Sequence, residues 1–180
     1  MSVVDIRPFT AGDSAWLDEW FAPVAASVGY SGLDLTHPGA SLLARIGAIS
    51  PPIARVIVRE DVCAGIVICS LDTPRAGAAI VEIIATTPEA ARRGSGMAAA
   101  AAIERELQAV GVRTIYAPAP AIHGIDVYFW IRLGYHPILR GEWPCGRPGV
   151  AWLSRDVTSK VIAEGEREAE ADRSENGPDR

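Results

Sequence analysis

The chain has 180 residues, 49% of them hydrophobic and 22% charged, a composition that fits one compact domain and excludes disorder over most of the length. Its 17 basic and 22 acidic residues leave a net charge of −5, which gives no electrostatic reason to expect a nucleic-acid partner. No apolar run approaches the ~20 residues of a membrane span and no signal peptide is readable. We therefore expect a cytoplasmic protein with reduced cysteines and no membrane contact.

The first half of the chain predicts a strand, two amphipathic helices and three further strands. The helices are indicated by apolar residues at one-face spacing, and the strands by β-branched runs that turn residues interrupt. In chain order the predicted elements are a strand at 3–7, helices at 14–24 and 42–49, an antiparallel hairpin at 55–59 and 63–69 with its turn at Glu60 and Asp61, and a strand at 78–86.

The second half alternates helices and strands. A helix runs from Gly94 to a glycine stop at Gly111, a strand covers 112–117, a helix covers 122–133, and two strands follow at 135–139 and 150–155. The order β-α-α-β-β-β-α-β-α-β-β predicts an α/β fold (α+β), with helices on both faces of a mixed sheet.

The composition changes once, near Thr158. Residues 160–180 carry seven acidic and four basic side chains and almost nothing apolar, so they hold −3 of the net charge of −5. This pattern is typical of a solvated, disordered tail. The sequence therefore predicts one domain at 1–158 and an acidic tail at 159–180.

The most informative segment runs from Ile80 to Ala98 and reads as a strand, a loop with two arginines and two glycines, and an Ala-rich helix. The first turn of a helix has unpaired N–H groups and the positive end of the helix dipole. A Cβ at Gly94 or Gly96 would hold a diphosphate away from the backbone. Together with Arg92 and Arg93, this pattern predicts an anion-binding loop.

Two other interpretations of these glycines are open. The simplest is a helix start that needs glycine for its turn. The other is a dinucleotide fingerprint, since Gly94-x-Gly96-x-x-Ala99 fits G-x-G-x-x-A, but residues 87–93 separate the glycines from the strand and no acidic residue follows the next strand.

The order strand, P-E-x-x-R-R-G-x-G-x-A, Ala-rich helix, strand, helix and Leu133-Gly134-Tyr135 resembles the GNAT superfamily of acyl-CoA N-acyltransferases. The resemblance implies a largely antiparallel mixed sheet of about six to seven strands flanked by about four helices. It implies that the loop, Q/R-x-x-G-x-G/A in the family, wraps the pyrophosphate of acetyl-CoA. Two registers are open, 91–96 and 93–98, and in either one the residues implied to contact the cofactor are Arg92, Arg93, Gly94, Ser95, Gly96 and Met97.

Glu82 is the best candidate for the base that accepts the proton of an attacking amine. It is an acid in an otherwise apolar strand, where a carboxylate has to find a partner or hold its proton more tightly. Alternation places Glu82, Ile84 and Thr86 on one face. The resemblance implies that this strand splays and that backbone amides near Ile84 and Thr86 bind pantetheine and the thioester oxygen. A structural ion pair is the alternative role for Glu82.

The segment from Ile122 to Tyr135 resembles the family ending N-x-x-A-x-x-[LF]-Y-x-x-x-G-F. Aligned on Gly134, His123 takes the Asn position and Trp130 the position of the Tyr that commonly protonates the leaving thiolate, so both are implied cofactor contacts. The chain departs from the family here, because an indole N–H donates a hydrogen bond but releases no proton.

The resemblance implies an N-acetyltransferase that moves the acetyl group of acetyl-CoA to a primary amine by direct attack. The acceptor class left open is a small molecule or a peptide, and a homodimer is compatible with the family. The alternative is a catalytically degenerate module that binds CoA. No His, Cys or Asp set has metal-ligand spacing, so no metal is expected.

Overall fold

The computed structural model describes residues 4–27, 36–48, 52–147 and 149–157, which form a seven-stranded sheet with helices on both faces. The strands are β1 (Val4–Pro8), β2 (Pro52–Arg59), β3 (Val62–Leu71), β4 (Ala78–Thr86), β5 (Thr114–Pro120), β6 (His136–Pro137) and β7 (Val150–Asp156). The α-helices are α1 (Ser14–Ser27), α2 (Pro38–Ala48), α3 (Ser95–Ala109) and α4 (Gly124–Arg132). This order confirms the predicted element order and α/β class.

The sheet is mixed but largely antiparallel, in the order β1-β2-β3-β4-β5-β7-β6. Its one parallel pair among the described strands is β4 with β5. The β2–β3 hairpin turns at Glu60 and Asp61, as predicted, and both residues have positive φ (52° and 63°). Two consecutive left-handed residues match the right-handed twist of the flanking strands.

Each face of the sheet carries its own apolar core. Helices α3 and α4 contribute Ile103, Leu107 and Trp130 to the core on one face. Helices α1 and α2 contribute Leu17, Phe21 and Leu42 to the core on the other face. The sheet therefore separates two sides, and each functional side chain can be assigned to one of them.

The strand predicted at 135–139 is shorter in the structure. Only His136 and Pro137 pair with β7, and a 3₁₀ turn begins at Arg140. Ile138 N still donates to Trp152 O at 3.0 Å, so the nitrogen of Pro137 faces the outer edge of the sheet, where a strand tolerates proline. The shortened strand leaves a long connection between β6 and β7.

The predicted acidic tail at 159–180 lies outside the described residues, as do residues 28–35 of the α1–α2 connection. Within the part of the chain that the structure describes, no helix is both long and apolar enough to cross a lipid bilayer.

Candidate active site

Strands β4 and β5 separate along their C-terminal halves. Their pairing covers only Ala78↔Thr114, Ala79↔Ile115 and Ile80↔Tyr116, although β4 continues to Thr86 and β5 to Pro120. Ligands in α/β folds commonly bind beyond the carboxyl ends of parallel strands. The backbone groups of β4 that face this opening have no partner on β5 there, so they can form hydrogen bonds with a ligand.

The amides of Ile84 and Thr86 point into the opening. The amide of Thr87 donates to Ala64 O on β3 at 2.9 Å. Backbone donors alternate between the two edges of a strand, so the amides of Thr86 and Ile84 face the opposite edge, toward β5. This arrangement supports the expectation that these two amides contact a bound thioester.

The loop between β4 and α3 is folded on Thr87. The Thr87 carbonyl accepts hydrogen bonds from Ala90 N (3.1 Å) and Ala91 N (2.9 Å). Further along, Arg92 has φ +63° and Gly94 φ +78°. A left-handed backbone conformation costs free energy at a residue other than glycine, and such residues are often found at ligand-binding sites.

The first turn of α3 presents its amides at the end of this loop. The first helical bond is donated by Ala98 N to Gly94 O at 3.0 Å, so the amides of Ser95, Gly96 and Met97 precede the helical ladder. A Cβ added to Gly94 would have no heavy atom within 4 Å, because this position faces open space. The structure thus brings the predicted loop residues together as an amide cradle, flanked by the exposed Arg92 and Arg93.

Arg59, the last residue of β2, contacts this cradle, although the sequence analysis did not single it out. Its Nη1 donates to the Arg93 carbonyl at 2.6 Å and to Ser95 Oγ at 3.2 Å. The guanidinium fixes the loop and adds a positive charge beside it. Because Arg59 and Arg93 are 34 residues apart in the sequence, no local pattern could have linked them.

On α4, Phe129 rather than Trp130 lies against the cradle. A Cβ on Gly96 would be 3.5 Å from Phe129 Cε2 and 3.9 Å from Thr86 Cγ2. Trp130 is only 4% exposed and packs in the core between the rings of Phe129 and Tyr135. His123 is the half-buried N-cap residue of α4, without a capping hydrogen bond from its side chain.

The predicted common face of Glu82, Ile84 and Thr86 is wrong, because β4 contains a bulge. Ile68 pairs with Ile83 while Cys69 pairs with Val81, so Glu82 is an extra residue between two ladder positions. An extra residue reverses the alternation that follows it. Glu82 therefore lies on the α1–α2 side, whereas Ile84 packs on the α3–α4 side.

Glu82 is 6% exposed and has found partners. Its Oε1 accepts from Ser70 Oγ at 2.8 Å, and its Oε2 accepts from Arg147 Nη2 at 2.6 Å. Arg45 Nη2, from α2, lies 3.5 Å from the same oxygen. Of the two outcomes expected for an acid in this strand, the structure shows charge pairing.

Asp126, in the first turn of α4, is a half-buried acidic residue, and the sequence analysis did not single it out. Its Oδ2 is buried and has no hydrogen-bond partner within the described residues. Burial raises the pKa of the Asp126 carboxyl above its ordinary value, and the neighbouring His123 acts in the opposite direction. An unpaired buried carboxylate costs stability when it is charged.

We expect Asp126→Asn to be more stable than the parent at neutral pH. A raised pKa in the folded state means that the parent loses stability as the pH rises through that pKa, whereas the amide carries no charge. The gain in melting temperature should therefore shrink as the pH falls from the raised pKa toward the ordinary carboxyl pKa of 3.8, and it should be lost below that pH. Thermal unfolding of both proteins across this pH range measures it, and a difference independent of pH would contradict the prediction.

The architecture has three distinctive parts: the parallel strands β4 and β5 that separate, the loop that follows β4, and the flanking helices. Several solved structures that share this architecture are described as GNAT-family acetyltransferases, so the chain has the GNAT fold and the predicted resemblance is confirmed for the fold. No family model matches the sequence, and no curated protein is significantly similar to it in sequence.

Three solved structures illustrate the likeness. An acetyltransferase from Thermus thermophilus is 20% identical, with a TM-score of 0.70 over 87% of this chain and 100% of its own. The phosphinothricin acetyltransferase of Sinorhizobium meliloti, in complex with AcCoA, is 20% identical, with a TM-score of 0.66 over 86% of this chain and 88% of its own. The PaiA N-acetyltransferase of Thermoplasma acidophilum, in complex with coenzyme A, is 11% identical, with a TM-score of 0.67 over 86% of this chain and 99% of its own.

Proposed function

We propose that the protein is an acyl-CoA N-acyltransferase that transfers the acetyl group of acetyl-CoA to a primary amine. The observation that carries the proposal is the opening between β4 and β5, with the amide cradle of residues 92–97 at its end. Two of the three similar structures described above are complexes with coenzyme A or AcCoA. A diphosphate fits a helix N-terminus flanked by arginines, and the strand opening has free donors for an acyl chain.

The roles follow from the geometry. The amides of Ser95, Gly96 and Met97, with Arg92 and Arg93, bind the diphosphate. The amides of Ile84 and Thr86 bind the pantetheine and polarise the thioester carbonyl. His123 at the start of α4 is a proposed cofactor contact, and Phe129, rather than the core residue Trp130, lines the groove between α4 and the cradle.

In the transfer step, the neutral amine nitrogen bonds to the thioester carbonyl carbon and the carbon–sulfur bond breaks. The nitrogen loses its proton to Glu82 through a water molecule, and the CoA thiolate takes up a proton from solvent. The products are an amide and free CoA. Solvent is the proposed proton source because Trp130 has no proton to release and lies in the core.

The second candidate function is a module that binds CoA without turnover. This alternative comes from the tryptophan at the position of the usual acid, and the similar structures, which are acetyltransferases, do not favour it. Loss of a general acid commonly lowers a rate by about 10²- to 10⁴-fold.

Two measurements on the full chain separate these functions. Calorimetry with acetyl-CoA reports binding, and a thiol reagent reports CoA release in the presence of a panel of amines. The proposal expects both a binding heat and amine-dependent release. Binding without release would favour the module, and the absence of heat with every CoA thioester tried would overturn both functions.

A further inference from the structure

The connection between β6 and β7 forms an open cavity that the proposed cofactor site does not use. Its volume is about 430 Å³, and its lining residues are Arg140, Trp143, Cys145, Gly146, Arg147 and Gly149. A space of this size fits a small molecule. None of these residues belongs to the amide cradle or to the β4–β5 opening.

The cavity carries two guanidinium groups held by aromatic rings. Arg140 Cζ lies 5.7 Å from the centre of the Trp143 ring, and Arg147 Cζ lies 5.5 Å from that of Trp152. Stacking on an aromatic face fixes a guanidinium while leaving its charge in place. Within the described residues, Arg140 has no ion pair with a carboxylate.

Arg147 connects this cavity to Glu82. Its Nη2 donates to Glu82 Oε2 at 2.6 Å, and Arg45 approaches the same oxygen at 3.5 Å. Two guanidinium groups therefore approach one carboxylate. Among the described residues at this end of the fold, the three arginines 45, 140 and 147 outnumber the carboxylates of Glu82 and the exposed Glu142. A group bound by Arg147 in the cavity would lie beside the proposed base.

We propose that this cavity binds a carboxylate of the acceptor, so that the acceptor is a small amine that also carries a carboxylate, as an amino acid does. This inference rests on the proposed acyltransferase function. Arginine recognises a carboxylate through paired, charge-assisted hydrogen bonds. The same excess of positive charge disfavours polyamines and other polycationic acceptors. An acceptor anchored at Arg140 and Arg147 presents its amine toward Glu82.

The first test needs no turnover, because Cys145 lies in the cavity wall. The cavity thiol is half-buried, Cys69 is buried, and Cys63 can be removed as Cys63→Ser. In that background we measure the alkylation of Cys145 by iodoacetamide, with a panel of amino acids and with the carboxamides of the same amino acids. A ligand at ten times its Kd leaves about one cavity in eleven empty, so alkylation should slow about tenfold.

Protection by the amino acids, not by their carboxamides, is the expected result. Arg140→Gln should abolish this protection, whereas Arg105→Gln, which changes an exposed arginine of α3, should not. Equal protection by acids and amides, or none by either, would overturn the inference. Protection by CoA alone would also overturn it, since the cavity would then belong to the cofactor.

The second test separates this inference from the proposed function. With acetyl-CoA as donor, Arg140→Gln should raise the KM for amino acids about tenfold or more and leave the Kd of acetyl-CoA unchanged. Equal turnover of acids and amides would refute the carboxylate site while the acyltransferase function stands. Failure of acetyl-CoA to bind would refute the function, and Cys145 protection would still report on the cavity.

Discussion

Gly94→Val is expected to lower the affinity for acetyl-CoA by at least about 100-fold, since losing two phosphate bonds of about 1.5 kcal/mol each has this effect. Gly94 has φ +78°, it directly precedes the amides that come before the helical ladder, and a side chain there would project into open space. The branched Cβ would hold the diphosphate away from them. Calorimetry with acetyl-CoA measures the change.

The matched control is Gly111→Val, at the opposite end of the same helix. Gly111 also has a positive φ (+90°) and no heavy atom within 4 Å of an added Cβ. Both variants should lose about 1–2 kcal/mol of folding stability, because each places a side chain on a residue with a left-handed backbone conformation. Only the Gly94 variant should lose affinity. Equal affinities in the two variants would remove the cradle from the proposed cofactor site.

Glu82→Gln is expected to lower kcat by about 10²- to 10⁴-fold, the usual contribution of a general base. The amide keeps the shape of the side chain and an oxygen for the Ser70 hydroxyl, but it cannot accept the amine proton. The affinity for acetyl-CoA should stay close to that of the parent, because Glu82 and the cofactor cradle lie on opposite sides of the sheet. Rate profiles against pH, with calorimetry for the cofactor, measure both quantities.

Glu104→Gln is the control for the loss of a buried carboxylate. Glu104 is also 6% exposed and pairs with an arginine, Arg155 Nη1 lying 2.8 Å from its Oε2. This variant should keep its kcat. If Glu82→Gln lowered kcat without altering the acidic limb of the pH–rate profile, Glu82 would be a positioning residue for Arg147 rather than the base.

The loop after β4 could be predicted because its chemistry is local. The glycines, the arginines and the first turn of α3 are consecutive, so their spacing alone places amides and positive charge together. The role expected for the amides of Ile84 and Thr86 came from the family resemblance instead, because no local pattern shows that two strands will separate. The loop prediction tolerates small errors in the element boundaries.

The surroundings of Glu82 could not be predicted in the same way. The bulge at Glu82 reverses the side-chain alternation of β4, and only the pairing with β3 reveals it. On α4, the helical period does not decide which of the adjacent Phe129 and Trp130 turns inward, and packing against Tyr135 places the larger ring in the core. The expectation for the face of Glu82 was therefore wrong, although the residue itself was correctly singled out as an acid that needs a partner.

The sequence by itself determined the order of the elements, the mixed sheet and the position of the glycine- and arginine-containing loop before α3, because each follows from patterns of residues that are close together in the chain. The tertiary structure decided which charges meet. Arg59 reaches the loop from β2, and Arg45 and Arg147 reach Glu82 from α2 and from the β6–β7 connection. Such contacts depend on how distant segments pack. No periodic pattern in the sequence indicates which carboxylate an arginine will pair with.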